Sequence, residues 1–138
     1  MIRSLMIWIC LLVVTAAPAA AESPELAEAA RAGDRARVEA LLDAGVAPGA
    51  TNGGGTPALA LAAVRGHEAV VRLLLDRGAE PDASTGRERL TALMCAAANG
   101  HAGVVRLLLD RGAAVDAASR DGYTALMLAA GYGRLETV

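Results

Sequence analysis

Apolar and polar positions along this chain form one long apolar block and then a repeated pair of short patterns. Leu5 to Val14 is unbroken apolar. Beyond Ser23 the apolar stretches are shorter and of two kinds. The first is a compact Leu/Ala block, seen as Leu59-Ala-Leu-Ala-Ala63, Leu93-Met-Cys-Ala-Ala97 and Leu126-Met-Leu-Ala-Ala130. A glycine follows each. The second kind places Val70, Val71, Leu73, Leu74 and Leu75 together, a spacing that builds one apolar face of a helix. Glu68, Arg72 and Asp76 lie on its other side at i, i+4 spacing, a solvated charge ladder. Each unit therefore predicts two short helices joined at a glycine.

The units recur. Gly66-His-Glu-Ala-Val-Val-Arg-Leu-Leu-Leu-Asp-Arg-Gly78 and Gly100-His-Ala-Gly-Val-Val-Arg-Leu-Leu-Leu-Asp-Arg-Gly112 are near copies. The opening glycine appears at Gly33, Gly66, Gly100 and Gly133, in steps of 33, 34 and 33 residues. A closing glycine at Gly45, Gly78 and Gly112 follows each of the first three after twelve residues and suits a left-handed helix stop. A fixed period near 33 marks a stacked repeat architecture. Thr91 and Thr124 stand where a hydroxyl caps the first helix of a unit. Ser23-Pro24 and Thr56-Pro57 predict the same cap one residue earlier, with Pro at the first helical position. Asp82 and Asp116 recur at one phase, which points to loop hydrogen bonding.

These motifs resemble the ankyrin repeat family, whose pattern runs Thr-Pro-Leu-His-x-Ala-Ala, Gly-His, Val-Val-x-Leu-Leu-Leu, Gly-Ala. The match is closest from Pro57 to Ala79 and from Thr91 to Ala113. The resemblance implies an all-α solenoid of three full repeats plus a partial fourth, with units at 23–55, 56–90, 91–123 and 124–138. Four departures stand out. Ala60, Met94 and Met127 replace the motif histidine, which implies loss of an inter-repeat hydrogen-bond network common in the family. Ala92 and Ala125 replace the proline. The turn between Asp82 and Thr91 holds one extra residue. Gly133-Arg-Leu-Glu-Thr-Val138 stops partway through a second helix. That stop predicts a truncated chain, a frayed last half-repeat, or completion by a partner, since an outermost repeat leaves one face uncovered. Glu28, where later units have Leu61, Cys95 and Leu128, fits an N-terminal cap.

The long apolar block carries an address. Arg3, Leu5 to Val14, Pro18 and Ala19-Ala20-Ala21 before Glu22 form a secretory signal peptide over 1–21, cleaved after Ala21 or Ala19. A bilayer span needs about 20 apolar residues, and Pro18 interrupts this one. All 13 basic residues are Arg. Absent Lys beside abundant Ala, Gly and Arg points to a bacterial genome rich in GC, and so to the periplasm or cell exterior. Removing the leader leaves Cys95 as a lone cysteine, so no intrachain disulfide can form.

Composition narrows the chemistry. A net charge of -2 supplies no basic field for nucleic acid. Without Lys there is no Schiff base, P-loop lysine or Ser–Lys dyad. Asn52-Gly-Gly-Gly-Thr56 precedes a helix but lacks a following Gly-Lys-Ser/Thr, so it reads as a flexible inter-repeat turn. His67 and His101 share a phase directly after the glycine turn, which favours a structural role in starting the second helix. No metal-ligand spacing is present. Cys95 takes the phase of Leu61 and Leu128, a small buried hydrophobe. No catalytic constellation or cofactor site is found.

The resemblance implies partner contacts through turn tips and the concave face of the first helices. Carried over to this sequence, it selects Arg87, Glu88 and Arg89 in the long turn, and Arg120, Asp121 and Tyr123 in the next. On the helix face it selects Arg65, Asn99 and Tyr132. Exposed Tyr and Arg are favoured at binding hot spots. The expected function is a non-enzymatic module that binds a folded protein in the periplasm or outside the cell. Alternatives are an inhibitor or immunity protein occluding an exported enzyme, a membrane-tethered scaffold if the leader is retained, and a redox role for Cys95.

Overall fold

A computed structural model describes residues 22–134. The leader expected over 1–21 lies outside the described residues. Seven helices follow in order: α1 Pro24–Ala32, α2 Arg35–Asp43, α3 Ala58–Arg65, α4 Glu68–Asp76, α5 Ala92–Ala98, α6 Ala102–Asp110 and α7 Ala125–Gly131. The odd-numbered helices stack on one another as an inner layer, and α2, α4 and α6 stack as an outer layer. Each outer helix also packs on the inner helix before it. The result is the all-α solenoid that the period of 33 predicts.

Residue size explains the close stacking. The inner helices are built mainly from alanine, and Ala29, Ala30, Ala62, Ala63, Ala96 and Ala97 are all buried. Small side chains let neighbouring inner helices approach, while Leu26, Leu59, Leu74 and Leu108 fill the space between layers. Each such leucine is worth about 1.5–3 kcal/mol in burial. On α4, Val70, Val71, Leu73 and Leu74 are buried, while Leu75 is only half-buried.

Capping follows the sequence with one exception. Ser23, Thr91 and Thr124 accept hydrogen bonds from Leu26, Met94 and Met127 N–H groups at 3.3 Å. Thr56 does not cap α3. Its N–H donates to Asn52 Oδ1 and its carbonyl accepts from Asn52 N–H, both at 2.9 Å, so the turn claims it and Pro57 becomes the cap position.

Two sets of bonds join successive units. His67 Nε2 lies 3.0 Å from the Arg31 carbonyl, and His101 Nε2 lies 3.0 Å from the Val64 carbonyl. A carbonyl only accepts, so Nε2 carries the proton in each ring. Arg134 repeats the bond at the same phase, donating from Nε to the Ala98 carbonyl at 3.3 Å. These histidines therefore start their helices by backbone position alone; neither side chain caps the helix. Each reaches back to the preceding unit instead. On the outer layer, Arg77 pairs with Asp43 at 2.8 Å and Arg111 with Asp76 at 2.6 Å. Glu68 and Arg72 pair at 3.2 Å as the ladder predicts, but Asp76 turns away from Arg72 to the next unit's arginine.

The staple restricts the opening glycine. Gly33 has φ 74, and a Cβ there would sit 2.6 Å from the His67 ring. Gly45 has φ 97 with nothing within 4 Å. A left-handed backbone costs an L-residue about 1–2 kcal/mol at either site. Gly33→Ala should therefore destabilise more than Gly45→Ala in urea denaturation. His67→Ala loses its own hydrogen bond, about 1 kcal/mol. Combined with Gly33→Ala it should cost less than the sum of the two, because the clash is gone.

Candidate protein-binding surface

Three turns form a row at the N-terminal ends of α3, α5 and α7, and one device closes all of them. A side-chain oxygen at the first position accepts the N–H of the last. Asn52 Oδ1 accepts from Thr56, Thr85 Oγ1 from Leu90, and Ser119 Oγ from Tyr123, at 2.9, 3.0 and 3.1 Å. Asn52 Oδ1 also accepts from Gly54 N–H at 2.9 Å. The Gly-rich turn is thus hydrogen-bonded rather than a loose linker. The extra residue in the second turn is absorbed by Arg89, which takes φ 55, the left-handed conformation, alone among the described non-glycine residues.

Neighbouring turns touch. An added Cβ on Gly55 would lie 3.6 Å from Gly86 Cα, and Arg120 N–H donates to the Glu88 carbonyl at 2.9 Å. Asp82 Oδ1 accepts the Ala114 N–H of the following unit at 2.7 Å, the loop role expected of it. Arg87, Glu88, Arg89, Arg120, Asp121 and Tyr123 are all exposed along this row. Tyr123 holds its backbone to Ser119 through both its N–H and its carbonyl, while the residue stays 52% exposed. Such a ring is presented on a fixed stem, which lowers the ordering cost of binding.

Arg65, Asn99 and Tyr132 lie elsewhere. They occupy one phase at the C-terminal ends of α3, α5 and α7, all exposed. The seven residues of α7 separate Tyr132 from the turn row by about 10 Å. The nine residues selected from the sequence thus form two strips along the inner layer. Asn99 already spends its Nδ2 on the Cys95 carbonyl at 2.8 Å, a helix-end bond. Sequence reasoning passed over a third exposed group, Val115, Leu126 and Met127. Repeat phase gave no warning at Leu126 and Met127, because their equivalents in earlier units are buried.

Cys95 is 9% exposed, and burial pushes its thiol from an ordinary 9.0 up to about 11, against a smaller lowering by a backbone hydrogen bond. A thiol so placed stays protonated at neutral pH and is a poor nucleophile. No group of three His, Cys, Asp or Glu side chains suited to a metal occurs among the described residues. Thr91, the buried polar residue of the core, is occupied by capping.

Against this geometry, the family model for ankyrin repeats, in three copies, matches residues 26–113 and again 77–138. The chain belongs to the ankyrin repeat family, whose members are generally non-enzymatic modules for protein–protein interaction. No curated protein matches it.

The state of Cys95 gives a checkable consequence. Between about pH 9 and about pH 11 the unfolded chain releases the thiol proton while the folded chain keeps it. Stability should fall as pH rises through that window, and a Cys95→Ala variant should lose this dependence in urea titrations. Native protein should also resist iodoacetamide at pH 8 until denaturant is added. Rapid labelling of Cys95 in the folded chain would contradict the burial.

Proposed function

We propose that this protein is an exported binding module that grips a folded partner protein with its turn row, assisted by the exposed ends of the inner helices. The observation that carries this reading is Tyr123 beside Arg120. Both are exposed, and both are held by backbone hydrogen bonds, to Ser119 in one case and Glu88 in the other. Tyrosine and arginine are both among the residue types enriched at hot spots. Arg87, Glu88, Arg89 and Asp121 supply a mixed-charge rim, which tunes register more than affinity.

Export rests on the leader: Arg3, the apolar run from Leu5 to Val14, Pro18, and the small residues up to Ala21. No helix among the described residues is long and apolar enough to cross a membrane. N-terminal sequencing of the protein recovered from its host should begin at Glu22 or Ala20. A sequence beginning at Met1 would favour a retained leader and a tethered module.

Binding is tested by affinity capture from a native extract with wild-type bait beside a Tyr123→Ala, Arg120→Ala double variant. Two hot-spot truncations each cost about 2 kcal/mol or more, so the partner's affinity should drop by a factor on the order of 1,000. Circular dichroism should be unchanged, because both side chains are exposed. A partner retained equally by both baits would refute the assignment of the turn row.

A further inference from the structure

Both asparagines of this chain stand directly before a glycine, Asn52-Gly53 in the first turn of the row and Asn99-Gly100 at the end of α5. One aspartate does so as well, Asp121-Gly122 in the third turn. A glycine leaves its own nitrogen uncrowded, because it carries no Cβ. That nitrogen is able to attack the side-chain carbonyl carbon of the residue before it and close a five-membered imide. The outcome depends on what already holds the glycine nitrogen, the side-chain oxygen and the leaving nitrogen.

The structure separates these dipeptides. Gly100 N–H donates to the Ala97 carbonyl at 3.2 Å, and Asn99 Nδ2 donates to the Cys95 carbonyl at 2.8 Å. Nucleophile and leaving group are both held there. Gly122 N–H likewise donates to the Ser119 carbonyl at 3.0 Å. In the first turn neither hold is present. Among the described residues, Gly53 N–H and Asn52 Nδ2 have no hydrogen-bond partner, and Gly53 is exposed. Asn52 Oδ1, by contrast, accepts the N–H groups of Gly54 and Thr56, each at 2.9 Å. Two donors aimed at the oxygen that gains charge during attack form the arrangement that stabilises an oxyanion.

We propose that the fold singles out Asn52 for spontaneous deamidation, through a cyclic imide formed with Gly53. Water or hydroxide takes the proton of the Gly53 nitrogen as that nitrogen bonds to Asn52 Cγ, and the carbonyl π pair moves onto Oδ1. When the carbonyl re-forms, the Cγ–Nδ2 bond breaks and Nδ2 leaves as ammonia with a proton taken from water. A further water molecule then opens the imide. Attack at Cγ breaks its bond to the Gly53 nitrogen and gives aspartate. Attack at the main-chain carbonyl carbon breaks the other C–N bond and gives isoaspartate. No oxidant or reductant takes part.

Either product changes the turn row. Aspartate keeps an acceptor for Gly54 and Thr56 but adds a negative charge to a turn that adjoins Gly86, next to Arg87. Isoaspartate carries the main chain through Cβ and Cγ, so the oxygen that closed the turn becomes a main-chain carbonyl. The site rests on the hydrogen bonds of the turn and stands whether or not the row binds a partner.

The test is the full chain aged in mildly alkaline buffer, folded or in urea, then cut with trypsin and read by mass spectrometry. Cleavage after Arg37 and Arg65 isolates residues 38–65 with Asn52, and cleavage after Arg89 and Arg106 isolates residues 90–106 with Asn99. In the folded chain Asn52 should convert about tenfold or more faster than Asn99, where two hydrogen bonds must first break. In urea the two rates should draw together, because each site is then a plain Asn-Gly pair. Gly53→Ala crowds the nitrogen and should slow conversion at Asn52 while leaving Asn99 unchanged. That variant should keep its fold, since an added Cβ at Gly53 meets nothing within 4 Å and its backbone is not left-handed. Conversion of Asn52 no faster than Asn99 in the folded chain overturns the proposal. So does an Asn52 that stays intact when folded yet converts in urea, a gap that persists undiminished in urea, or unaltered conversion in Gly53→Ala.

Discussion

Helices of seven to nine residues carry this structure, and none of them can stand alone. In water an isolated helix needs about 12–15 residues before propagation offsets the cost of its first turn. The stability of each helix therefore resides in the interface between one unit and the next. Alanine on the inner layer, leucine between layers, and the His67 and His101 staples all serve that interface. Gly33 and Gly66 are held to it as well, since the histidine ring of the following unit occupies the space their side chain would need, and at Gly100 the Arg134 side chain does the same.

The same dependence shapes the binding surface. A turn tip on an unsupported helix pair would be mobile, but here each tip is closed by its own first residue and touches the next. Arg120 N–H on the Glu88 carbonyl makes two turns into one surface. Function and stacking are thus linked by the backbone: weakening the contact between two units also loosens the relation between their tips.

The interface explains the contrasts between equivalent residues too. Met94 is buried and Met127 exposed at one phase, with no difference in side chain to account for it. Likewise the motif histidine missing at Ala60, Met94 and Met127 does not leave the units without a polar link. The post-glycine histidines and Arg134 supply one from a different position. A network inferred lost from a motif has a substitute that only the three-dimensional spacing of the units makes visible.

The fold was legible in the residues because a period of 33 repeats local information: helix pattern, cap and glycine turn are each short-range, and each appears several times. Thr91, Thr124, Ser23, Gly45 and Gly78 behave as local rules require. What the sequence could not decide were contacts between residues more than thirty positions apart. The capture of Asp76 by Arg111 rather than Arg72, and the reach of His67 to the Arg31 carbonyl and of His101 to the Val64 carbonyl, are of this kind. Local sequence set the helices, because propensity and capping act within a few residues. Tertiary structure alone decided which of their identical faces are covered, because burial depends on the neighbouring unit and not on the residue itself.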